Sequence, residues 1–127
     1  MLSLRYKPIW IFASIVLVLA VIWGSLQTAY GGPEPKGFDK VEHFSTYMFL
    51  AVWFTGLLNR PRYWIAALAL LALGFAMEIA QFAMRAGRMG DAYDMAANTG
   101  GIVAGVLLAL LLTGGWAQRV ESWMRKA

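Results

Sequence analysis

Three short stretches of the sequence place side chains that can move protons or hold an anion within otherwise apolar surroundings. In DKVEHFSTY, Asp39 to Tyr47, the residues Lys40, His43 and Tyr47 follow i, i+3, i+7 spacing, which puts them on one face of an α-helix. In GFAMEIAQFAM, Gly74 to Met84, Glu78 and Gln81 share a helical face with Gly74 one turn away. In GRMGDAYDMAAN, Gly87 to Asn98, Arg88 and Asp91 precede Asp94 and Asn98, whose stripe continues through Gly101 and Gly105. His43, Glu78 and Asp94 are the candidates for general acid–base chemistry. Lys40 and Arg88 suit a phosphate-bearing headgroup, and Asp39, Tyr47, Gln81, Asp91 and Asn98 are the candidates for positioning it.

Each of these signals has a plainer alternative. Asp39 with Glu42, and Asp91 with Asp94, have the spacing of capping boxes and could serve only to start their helices. The G-x-x-x-G of Gly101 and Gly105 is the pattern of close helix approach. Glu78 is the hardest to set aside, because a carboxylate at mid-bilayer costs up to about 3 kcal/mol. It therefore needs a proton or a cationic neighbour, for which Lys40, His43 and Arg88 are the candidates, unless it serves as a hydrogen-bonded clasp between helices. One His and no Cys exclude multi-histidine and thiolate metal centres, and the sequence assigns neither a metal nor a cofactor. The His, Glu and Asp set is compatible with acid–base or metal-assisted chemistry, whereas no G-x-S-x-G or thiol nucleophile is present for a common covalent mechanism.

The elements that must position these groups are membrane helices. The chain has 127 residues, 60% of them hydrophobic and only 14% charged, with mean hydropathy +0.58, a composition outside the range of soluble domains. The apolar runs fall roughly at 9–29, 41–58, 63–84 and 95–116, each close to the ~20 residues of a spanning helix. Breaker-rich joints, YGGPEPKGFD, NRPR and RAGRMGD, separate them. The expectation is an all-α, four-helix transmembrane bundle forming a single domain over residues 1–127. The first run is expected to be a retained helix rather than a cleaved signal, since it exceeds a signal h-region and carries Trp10, Trp23 and Tyr30 at interfacial positions.

With four spans, the N-terminus, the 59–62 turn and the C-terminal tail share one side. Seven Lys and Arg residues lie there (Arg5, Lys7, Arg60, Arg62, Arg119, Arg125 and Lys126) against four opposite (Lys36, Lys40, Arg85 and Arg88). This excess places both termini in the cytoplasm. Six of the seven acids then face outward, together with the polar stretches. The net charge of +4 marks flanks suited to anionic lipid, and no soluble basic surface is present for nucleic acid.

Taken in order, Asp39-Lys40 with His43 and Tyr47, Glu78 with Gln81, then Gly87-Arg88, Asp91, Asp94, Asn98 and Gly101 resemble the VanZ-like family. The resemblance covers roughly Gly37 to Gly105, and Gly90 departs from it where a bulkier residue is expected. It implies a small bacterial integral protein of the cytoplasmic membrane, in a cell-envelope family named for an accessory of teicoplanin (glycopeptide) resistance. It implies no particular reaction. The combined expectation is an outward-facing polar site that recognises an anionic lipid or lipid-linked envelope precursor, with acid–base chemistry within its reach. The alternatives are a non-enzymatic lipid- or antibiotic-binding or transport module and a structural partner of an envelope complex. Exposed glycine faces would allow a homodimer.

Overall fold

A computed structural model describes residues 1–28, 37–84 and 92–126. The described residues form helices and connecting turns, with no strand among them: α1 (Lys7–Thr28), α2 (Phe38–Leu57), α3 (Tyr63–Ala83), α4 (Ala92–Leu108) and α5 (Trp116–Met124). A 3-10 turn at Arg60–Arg62 leads into α3, and α4 runs on into a π turn at Ala109–Thr113. Three helical stretches, Lys7–Gln27, Arg60–Ala83 and Ala92–Thr113, are long and apolar enough to cross a membrane. The fourth expected span corresponds to α2, which is not among these three; its first turns carry Asp39, Lys40, Glu42 and His43.

The helix limits follow from local chemistry. Gly37 adopts the left-handed backbone (φ 85°) that starts α2, a conformation glycine takes without strain. Asp39 therefore lies inside the first turn, its Oδ1 accepting the Lys40 amide at 2.9 Å, and no side chain caps the helix. The expected capping box at Asp39 is thus replaced by a glycine entry. Pro61 sits in the 3-10 turn between α2 and α3, where its missing N–H costs little. The fourth apolar run ends earlier than 116, because Gly114 and Gly115 break it and Gly115 turns left-handed (φ 71°). Trp116, expected at the end of that run, instead opens α5. Two of the arginines on this side serve the frayed carbonyls: Arg60 donates to Leu110 O (3.1 Å) and Arg119 to Leu112 O (3.2 Å), satisfying groups that a helix C-terminus leaves open.

Between helices in a membrane, apolar burial gives little drive, so association rests on close packing and hydrogen bonds. The closest pair is α2 with α4. A Cβ at Gly101 would meet the carbonyl oxygen of Phe44 at 2.2 Å, and one at Gly105 would meet that of Met48 at 2.6 Å. The small-residue stripe thus sets two backbones in contact. The third core helix, α3, turns Tyr63, Ala66, Leu70, Gly74, Met77 and Gln81 inward, a single stripe of helical period. Tyr47, Leu50, Ala51, Leu70 and Ile102 form the centre. The outer helix α1 buries none of its apolar length and leans on this core through Leu17 and Val21.

Candidate functional site at the polar end of the bundle

The start of α2, the end of α3 and the start of α4 meet at one end of the bundle, and there the buried polar side chains concentrate. Glu78, Gln81, Asp94 and Asn98 are each at most 8% exposed, which is uncommon for such residues unless they are partnered. The i, i+3, i+7 face of α2 and the Asp94–Asn98 turn of α4 face each other because the glycines one and two turns further along α4 allow it.

Lys40 is the charged hinge of this cluster. Its Nζ lies 2.5 Å from Asp94 Oδ1 and 2.9 Å from Asp39 Oδ2, joining α2 to α4. One turn deeper, His43 Nδ1 stands 3.1 Å from Asn98 Oδ1. An amide oxygen carries no hydrogen, so this contact is a bond only when His43 donates from Nδ1. In the neutral ring that leaves the lone pair on Nε2, which faces Asp94 Oδ2 at 3.9 Å, beyond hydrogen-bond range. The imidazole nitrogen, one Glu78 oxygen and one Asp94 oxygen all lie within 4.8 Å of one another. The three residues expected to carry acid–base chemistry are therefore neighbours.

The positioning candidates divide. Asn98 orients His43, and Asp39 holds Lys40. Tyr47 is buried, with its Oη 3.3 Å from where a Cβ on Gly74 would stand, so Gly74 makes room for both the phenol and the Asn98 amide. Gln81 donates to Ser25 O at 2.9 Å and thereby ties α3 to α1. Arg88 and Asp91 lie outside the described residues. A cleft with about 120 Å³ of room opens beside His43 between α1 and α2, walled by Val21, Gly24, Ser25, Asp39, Glu42 and Tyr47 among others. A Cβ on Gly24 would meet nothing within 4 Å.

Sequence reasoning missed two contributions. Ser25 enters the site from α1, and its only signal was a hydroxyl next to a glycine in an apolar run. At the opposite end, Glu121 accepts from the amides of Arg5 (2.8 Å) and Tyr6 (2.9 Å) and from the Trp10 indole (2.8 Å). Burial alone would raise its pKa. The Tyr6 and Arg5 amides, the Trp10 N–H and the nearby Arg125 outweigh that, and they hold Glu121 below its ordinary value of 4.5. Its signal was its position as the lone acid among the seven cations of that side.

Apolar helices of spanning length around a buried cluster of acids and an imidazole point to a helical membrane protein with polar side chains gathered at one end of the bundle. The VanZ/LLP1 family model matches residues 4–113, which is most of the chain and includes every candidate site residue. The chain belongs to the VanZ/LLP1 family. No curated protein and no solved structure matches it.

Proposed function

We propose that this VanZ-family protein spans the bacterial cytoplasmic membrane four times, with both termini in the cytoplasm and the polar end outward. There it recognises the headgroup of an anionic lipid or lipid-linked envelope precursor, and glycopeptide resistance of the teicoplanin type would be the associated phenotype. The observation that carries the reading is a pair of spaces walled by the same helix. The polar cleft takes Val21, Gly24 and Ser25 from α1. An apolar groove of about 650 Å³ takes Ile11, Ile15, Val18 and Leu19 of α1 together with Phe54 of α2 and Ile65 and Leu73 of α3. An amphiphile needs one space of each kind, and a single stripe of α1, from Ile11 to Ser25, lines both. Lys40, with 31% of its side chain exposed, is bonded to Asp39 at the wall of the cleft and supplies a cation beside it, and His43 lines the cleft itself. Acid–base work on a bound headgroup would use His43, Glu78 and Asp94.

The test is native mass spectrometry of the protein in detergent with phosphatidylglycerol and phosphatidylcholine side by side. Preferential retention of the anionic lipid, reduced about tenfold in Lys40→Gln with the bundle still folded, is expected for a charge-assisted contact worth about 1.4 kcal/mol. Equal retention of both lipids, or no change in Lys40→Gln, removes the headgroup reading.

A further inference from the structure

We propose that His43, Glu78 and Asp94 form a binding site for one first-row divalent transition-metal ion, of the Zn²⁺ or Mn²⁺ type. The donors are one imidazole nitrogen and two carboxylate oxygens, contributed by α2, α3 and α4 and no more than 4.8 Å apart. Bonds of ~2.1 Å would set donors about 3.4 Å apart around a tetrahedral ion, and about 3.0 Å (neighbouring) or 4.2 Å (opposed) around an octahedral one. The 3.9 Å between His43 Nε2 and Asp94 Oδ2 is too long for a hydrogen bond and needs a shift of only about 0.5 Å to reach the tetrahedral spacing.

The second observation is the surrounding shell, which holds two of the donors in ligating form. Asn98, 1% exposed, accepts from His43 Nδ1, which fixes the tautomer whose Nε2 lone pair faces Asp94. Metal-bound histidines are held in this way by a hydrogen bond on the far nitrogen. Lys40 pins Asp94 through Oδ1 at 2.5 Å, so that Oδ2 is the oxygen turned toward the imidazole. Burial gives the reason for a cation. Glu78 and Asp94 are each at most 8% exposed, where an ionised acid is expensive, and a divalent ion held between them lowers that cost. A mixed nitrogen and oxygen set favours a transition metal over Ca²⁺ or Mg²⁺, which prefer oxygen alone.

The proposal concerns the cluster on which the headgroup reading also draws. Metal binding is measured in detergent without added lipid, so either reading can fail alone. The chain contains a single histidine, and this allows a test on the unaltered protein. After purification without a polyhistidine tag and treatment with EDTA, the protein is loaded with Cu²⁺ as a spectroscopic probe. Pulsed electron paramagnetic resonance should show the modulation of one imidazole nitrogen, which can come only from His43. Calorimetric titration with Zn²⁺ and with Mn²⁺ should give one ion per chain for at least one of the two metals. For that metal, affinity should fall at least about 100-fold in His43→Ala and in Asp94→Asn, and about 10- to 100-fold in Asn98→Ala. Absence of imidazole modulation overturns the proposal whether or not the variants fold. So does the failure of both metals to bind at one ion per chain, or binding that survives His43→Ala.

Discussion

Both ends of the bundle bury acids, and Glu121 at one end is served differently from Asp94 at the other. Glu121 is met by two backbone amides and an indole N–H, donors that cannot change protonation. Around it Trp10, Trp53 and Trp116 pack edge to face and tilted, with ring centroids 5.2 to 6.1 Å apart, an arrangement that adds rigidity. Asp94 is met by an ammonium and faces an imidazole, on side chains from a neighbouring helix. The first acid closes a structural clasp between α5 and the start of α1. The second belongs to a set of groups that can each take or give a proton, next to a cleft. The difference is one of partners, since both acids are buried to nearly the same degree.

The largest expected effect comes from the contact that creates the polar end. In Gly101→Leu the new side chain meets the Phe44 carbonyl and Met48 amide of α2. Backbone cannot rotate aside, so α2 and α4 must part. A loss of about 3 kcal/mol or more is expected, read as a collapse of the melting temperature in detergent. Gly56→Leu, near the other end, meets the Trp116 ring first. Turning that ring aside costs its indole bond to Val52 O and its packing on Trp10 and Trp53 but leaves the α2 and α4 backbones in contact, so a smaller loss is expected there; equal losses would mean that the α2–α4 seam does not control assembly.

A second contrast uses pH. Because the partners of Glu121 hold its pKa below 4.5, the clasp contributes stability that is present above the pKa of the unfolded chain. That contribution is lost as pH falls through the lower, folded value. Wild type should therefore lose melting temperature as pH drops below about 4.5. Glu121→Gln should start lower at neutral pH and show a shallower acid slope. If its slope matches wild type, the acid sensitivity arises elsewhere.

At Glu78 stability and function should separate. Glu78→Gln keeps the shape and is expected to abolish headgroup-dependent function, and Glu78→Leu should do the same with the melting temperature kept or raised, because a buried acid is removed. An interhelical clasp predicts the reverse, with Gln tolerated and Leu unstable. Melting temperature beside glycopeptide sensitivity, for both variants, decides between them.

What the sequence revealed and what it hid follow one physical line. Periodicity exposed the Lys40, His43, Tyr47 face and the Asp94, Asn98, Gly101, Gly105 stripe, because both are properties of a single helix. It also placed the apolar runs, although α2 and α4 begin about a turn before their apolar runs because charged first turns are helical too. The end of the fourth helical stretch differs for the opposite reason. Leu110 to Trp116 carries no charge and extends the apolar run, yet its two glycines redirect the chain. Pairings between distant helices were hidden. Nothing in the local pattern says that Gln81 will reach Ser25 or that Trp10 will find Glu121, since those contacts are fixed by helix packing.

The smallest expected effect on stability belongs to Gly24, and it tests whether the cleft rather than the charges beside it admits a ligand. A Cβ here meets open space, so Gly24→Leu should fold as well as wild type, and replacing glycine within a helix should itself favour the helix by roughly 0.5–1 kcal/mol. The longer side chain would extend from α1 toward a space of only about 120 Å³, most of which a leucine could fill. Lys40, His43 and Asp94 stay in place, so their contacts across α2 and α4 should survive. Retention of anionic lipid should nonetheless fall about tenfold, a cost of about 1.4 kcal/mol, while Gly24→Ala, which adds a single methyl group, should bind as wild type does. Full retention in Gly24→Leu would mean that a headgroup reaches Lys40 by another route, from the outer rim and not between α1 and α2.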